Sequence, residues 1–150
     1  MGVLEGRIIA VCRSEKKGTA KRPIEDGRLL ADFGLEGDAH GGDWHRQVSL
    51  LDHGQVLAFI RRGGQVTHGD FGENLVVEGI NLKELPIGST IKIGPALMAV
   101  TQIGKECHSH CQIYHKVGDC IMPREGIFAK VLQGGPVKAG DDVLVEVAQA

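Results

Sequence analysis

Twenty-two glycines divide a chain of 150 residues into short apolar runs, and that spacing constrains the fold more than any other feature. Runs this brief cannot make long helices, while their Val and Ile content favours strands joined by tight turns. The strands expected are Gly6 to Cys12, Arg28 to Asp32, Gln47 to Leu51, Asn74 to Glu78, Thr90 to Gly94, Ala96 to Ile103, Ile127 to Leu132 and Asp142 to Val147. Gly94-Pro95 separates two apolar runs in IKIGPALMAVTQI, which predicts a hairpin.

Two short helices are expected. Leu51 to Arg62 ends in two arginines, where cations suit the carbonyl end of a helix, and Gly63-Gly64 stops it. Ser109 to Val117 is the second, stopped by Gly118. Ser14 to Asp26, rich in Lys and Arg and holding Pro23, reads as an exposed, solvated loop. The result is a mainly β (α+β) chain, and its length predicts one domain over residues 1–150.

Net charge of -2 leaves no basic footprint for nucleic acid. No apolar run approaches the roughly 20 residues that cross a bilayer, and the N-terminus has no leader pattern. No membrane or nucleic-acid partner and a cytoplasmic location are therefore expected. In a reducing compartment the four cysteines read as thiols, metal ligands or catalytic groups rather than disulfides.

Residues 107–120, CHSHCQIYHKVGDC, hold three of the four cysteines and three of the seven histidines. Cys107 and Cys111 can bind zinc with His115 or Cys120, since thiolate and imidazole are its usual ligands. Alternatively, one cysteine acts alone, as a nucleophile, persulfide carrier or ligand to a soft metal, with a nearby cation lowering its pKa. Lys105 and His108 are placed for that role at Cys107. Cys12 ends an apolar strand and reads as a small core residue.

Three further segments are polar enough to form a site. In GLEGDAHGGDWHRQVSLL, glycines surround Asp38, His40, Asp43, His45 and Arg46, so that backbone amides and a guanidinium can converge on an anion. FGENLVVEG adds Glu73 and Asn74, and MPREGIF adds Arg124 and Glu125. Asn74 suits a pterin-like heterocycle and Arg124 a phosphate.

Taken in order, GLEGDAHGGDWHRQVSLL, FGENLVVEG, LPIGSTIKIG, TQIGKEC and REGIFAKVLQGGPVKAGD resemble the MOSC domain, named for the C-terminal part of molybdenum cofactor sulfurases. The family's T-Q-P-R-x-P-C-like segment ends in a cysteine that falls on Cys107. Gly104 and Glu106 stand where the family has arginine and proline, leaving Lys105 as the adjacent cation. The resemblance implies a β-barrel with a few short helices that handles molybdenum cofactor or its sulfur. Cys107 would carry persulfide sulfur or ligate molybdenum, with Lys105 beside it. Asp38, His40, Arg46, Asn74 and Arg124 would contact the molybdopterin. A full sulfurase carries a pyridoxal-phosphate domain for which this chain has no room, so a sulfur donor or redox partner protein would be needed. A small zinc-binding or cofactor-chaperone module without turnover is the other reading of the same cysteines.

Overall fold

The structure, a computed structural model, describes residues 2–17, 19–104 and 121–149. Its frame is a closed barrel of seven strands: β1 (Val3–Arg13), β5 (Val48–Asp52), β6 (Leu75–Glu78), β7 (Thr90–Ile93), β8 (Ala96–Ile103), β9 (Ile127–Gln133) and β11 (Asp142–Glu146). Around the barrel they run β1, β11, β7, β8, β9, β5 and β6, and β6 pairs with β1 to close it. Closure leaves these seven strands without a free edge. β2 (Arg22–Ile24) extends the sheet on β1, while β10 (Gly135–Val137), β3 (Gly27–Leu30) and β4 (Gly34–Leu35) form a small second sheet.

Alternation explains the barrel interior. Ile91 and Ile93, Ala96, Met98 and Val100, and Val143 and Val145 are buried, with more exposed residues between them. They belong to the main core with Ile8, Leu50, Leu75, Val77, Ile127 and Val131. β5 and β6 break the alternation, being apolar and buried nearly throughout. They are the one parallel pair among the described strands, joined by helix α1 (His53–Arg61), which covers their outer face. Beneath it Leu51, Val56, Phe59 and Phe71 pack with Ile121, Met122 and Phe128. Ile121 and Met122 lead into the short helix α2 (Met122–Glu125).

The Asp52 carboxylate caps α1 by accepting from the Gly54 amide at 2.8 Å, and Gly63, at φ 98°, ends the helix where the paired glycines placed its stop. The eight expected strands are present with small shifts at their ends, and the Gly94-Pro95 hairpin joins β7 to β8. One expectation is corrected. Ser14 to Asp26 is not a wholly exposed loop, because β1 is long enough to pair with β2 inside it and because Lys21 is buried. Pro23 is tolerated because β2 lies at an edge. The expected second helix, Ser109 to Val117, lies outside the described residues. Among the described residues no helix is long and apolar enough to cross a membrane.

Candidate functional site

The glycine-rich loop after β4 closes on itself. Asp38 N donates to Leu35 O, Gly41 N to Asp38 O, and Gly42 N to Phe33 O, while Ala39 N ties the loop to Ser14 O beyond β1. Amides and a cation do converge on an anion here, but the anion is the protein's own Asp38. Its carboxylate accepts from Ser14 N at 3.0 Å, His40 N at 3.1 Å and Lys21 Nζ at 2.8 Å. Both side chains of the Lys21–Asp38 pair are fully buried. Lys21 Nζ also donates to His40 Nδ1 at 2.9 Å, which sets the tautomer with its proton on Nε2.

Burial alone would raise the Asp38 pKa, but the hydrogen bond and charge of Lys21, helped by the Ser14 amide and the Asn74 side chain, hold it below the usual carboxylate range. Burial lowers the Lys21 pKa, with the bond to Asp38 opposing it. The loop before Lys21 borders a surface cleft of about 620 Å³ walled in part by Arg13, Ser14, Lys16 and Arg22.

Gly69 brings a second loop against this pair. A Cβ there would stand 2.1 Å from Lys21 O, and its φ of 94° suits glycine. In that loop Glu73 is fully buried, and its two carboxylate oxygens accept from Gly69 N and Phe71 N. Burial pushes its carboxyl from 4.5 up to about 7 against those bonds. Since the native acid is weaker than the unfolded one, this group's stabilisation is complete below about pH 4.5 and is lost as the pH rises through about 7, a span of roughly 3 kcal/mol. Asp38 acts in the opposite sense: its stabilisation is present above the unfolded pKa and is lost as pH falls through the lower native one. Urea denaturation across pH is therefore expected to show Glu73→Gln flattening the decline between about pH 4.5 and 7 while leaving the acid limb in place. A decline that persists in Glu73→Gln would assign it to another group.

Asn74, the residue before β6, is likewise fully buried. Its Oδ1 accepts from Ser49 N at 3.0 Å and Ser49 Oγ at 3.2 Å, and its Nδ2 donates to Cys12 O at 3.0 Å. The side chain thus braces β1, β5 and β6. Cys12 is a core thiol as expected, pushed up to about 12 by burial first and then by the Glu73 charge.

Arg46 lies differently. Its guanidinium stands over Trp44 at 4.8 Å and over Phe128 at 5.6 Å, and its buried Nε has no hydrogen-bond partner among the described residues. Trp44 is fixed by donating from Nε1 to His40 O at 2.7 Å, so the Lys21 cluster and the Arg46 stack share one loop. That loop is also bound to the end of β8. Thr101 Oγ1 donates to His45 O, and His45 Nε2 lies 2.8 Å from Gln102 Oε1. Gln102 Nε2 in turn donates to Gly104 O, and Gly104 N to Gly126 O, both at 2.7 Å. The TQIG segment, three residues short of Cys107, is therefore anchored beside Arg46.

Arg124 is exposed on α2, and Phe128 packs in the same cluster as the first residues of that helix. Lys105, Cys107, His108, Cys111, His115 and Cys120 lie outside the described residues. Among the described residues no group of three His, Cys, Asp or Glu side chains could hold a metal. Sequence reasoning missed Lys21, because a lysine in a charged stretch carries no sign of burial. It also missed Phe128, which meets Arg46 only through the pairing of β5 with β9.

No curated protein sequence matches the chain. The YUAD protein from Bacillus subtilis has a similar structure, with TM-score 0.82 at 17% identity over 99% of both chains. YiiM from Escherichia coli aligns with TM-score 0.67 and 22% identity over 96% of this chain and 71% of its own. YiiM from Geobacillus stearothermophilus gives 0.64 and 18% over 94% and 73%. At these identities the likeness establishes the fold, and the family is established separately by the MOSC domain model, which matches residues 36–144. The match takes in the loop from Glu36 through Arg46 and the strands from β5 to β10, and the chain belongs to the MOSC domain family, whose members are related to molybdenum cofactor.

Proposed function

We propose that this chain binds a molybdopterin-type cofactor beside Arg46, with Cys107 as sulfur carrier or molybdenum ligand. The observation that carries this reading is the Arg46 guanidinium, held between Trp44 and Phe128 with Nε unsatisfied, next to the strand end that leads to Cys107. A stacked guanidinium with unused donor capacity fits an anionic group on a planar ligand. His40 belongs at the edge of the same site, because Trp44 hangs from its carbonyl. Asp38 and Asn74 act from behind: their polar atoms serve the fold, so they position the loop without touching the ligand. Arg124 offers a second cation from α2.

Bound here, the cofactor would supply molybdenum and its affinity for sulfur. The chain's own contribution is to hold the anion with Arg46 and to keep Cys107 as a thiolate, with Lys105 lowering its pKa. Sulfur or electrons come from a separate protein.

Protein expressed in a cofactor-making host with added molybdate provides the test, through metal analysis, pterin fluorescence and intact mass. Wild type is expected to carry pterin with molybdenum or one added sulfur. Cys107→Ala should lose the sulfur or the metal, and Arg46→Ala should weaken pterin binding about 10- to 100-fold, the loss typical of a charge-assisted hydrogen bond. Wild type free of pterin, molybdenum and added sulfur would sink the proposal.

A further inference from the structure

Two imidazoles, one at the start of α1 and one in the loop that follows it, make none of the contacts described above. His53 is the first residue of α1, fixed by the Asp52 cap, and His68 sits in the loop that leads to β6. That loop is held by Thr67 N donating to Asp70 Oδ2 at 2.9 Å, by Asp70 N donating to Thr67 O, and by the Glu73 carboxylate behind it. Both residues are half-buried, so solvent reaches them while their backbones are set. Their ring centres lie 5.7 Å apart with the planes tilted by 46°. Neither Nδ1, though buried, has a hydrogen-bond partner among the described residues. Two buried ring nitrogens without partners, on adjacent rings, are costly unless something satisfies both.

We propose that His53 and His68 form a site for a borderline divalent metal ion such as Zn²⁺ or Ni²⁺, bound through the two Nδ1 atoms. The geometry admits it. With metal–nitrogen bonds of about 2.0–2.1 Å, each ring centre stands roughly 3.2 Å from a bound ion. Rings 5.7 Å apart then subtend about 125° at the metal, which a small side-chain rotation brings to the tetrahedral value. Imidazole nitrogen selects such ions over Mg²⁺ and Ca²⁺, which prefer oxygen. The surroundings favour a cation, since the Asp52 and Glu125 carboxylates interact with each other and Asp52 also with His53. Lys83 opposes this in part, but it is paired to Glu125 at 3.0 Å. Among the described residues no third His, Cys, Asp or Glu completes the set. The site uses none of Cys107, Cys111 and Cys120.

The test uses the full chain with accessible thiols blocked by iodoacetamide, so that cysteine does not report. Zn²⁺ is titrated while the imidazole signals are followed by nuclear magnetic resonance, assigned through His53→Gln and His68→Gln. One equivalent of Zn²⁺ should shift both rings together, Mg²⁺ should shift neither, and each single variant should lose at least tenfold in affinity with an unchanged melting temperature. Shifts confined to other histidines, or equal affinity in wild type and both variants, would overturn the site. Should a variant unfold, Ni²⁺ protection of His53 and His68 from diethylpyrocarbonate in the wild type decides instead, and unprotected rings overturn it.

Discussion

Lys21→Met is expected to destabilise the protein by about 3–5 kcal/mol at neutral pH, the usual result of removing one member of a buried ion pair. The ammonium and the Asp38 carboxylate meet at 2.8 Å with both side chains wholly out of water, and methionine would leave that carboxylate with two backbone amides, the Asn74 side chain and no cation. Part of the cost comes from the uncompensated charge, so the double variant Lys21→Met/Asp38→Leu should be more stable than Lys21→Met alone, and urea denaturation of the four proteins in the cycle gives the coupling. Function should follow the same line. Lys21 also donates to His40, whose carbonyl fixes Trp44, which in turn supports Arg46. An unchanged urea midpoint for Lys21→Met would mean that the lysine lies in solvent, as its charged neighbours suggest, and that the chain of contacts to Arg46 does not begin there.

What could be read from the chain divides along physical lines. Strands such as Ala96 to Ile103 announce themselves because alternate residues enter one core, and the period of two survives in the sequence. α1 is marked by its basic end and its paired glycines. β2, β4 and β10 are only two or three residues long, and β2 and β10 contain proline, so no period can accumulate. They exist because a longer strand or the small sheet offers them partners. Polar residues were harder to read. Asp38, His40, Arg46 and Asn74 all stand near glycines in segments that look ready to receive a ligand, yet orientation separates them. Asp38 and Asn74 turn inward and satisfy backbone and lysine donors; Arg46 lies against two aromatic rings. The partners that decide this are remote in sequence: Lys21 for Asp38, Ser49 and Cys12 for Asn74, Phe128 for Arg46. The same remoteness hid His53 and His68, which meet only because α1 and the following loop fold onto one face.

Asn74 separates a brace from a ligand contact more sharply than any other residue near the site. Asn74→Ala would leave the Ser49 amide without its side-chain acceptor and the Cys12 carbonyl without its side-chain donor, both in the interior. At about 1–3 kcal/mol for each buried group left unsatisfied, a loss near 3 kcal/mol is expected in thermal or urea unfolding. Asn74→Asp should be no milder. It keeps an acceptor for Ser49 but loses the donor to Cys12, and it sets another carboxylate near Asp38, whose charge the Asn74 amide now supports. Cofactor binding measured per folded molecule, at a temperature where the variant is still native, should be close to wild type, because the amide that would touch a pterin is already spent on two strands. A direct contact predicts the reverse pattern, with binding lost and the unfolding midpoint nearly unmoved. The two readings place the loss in different measurements on the same variant.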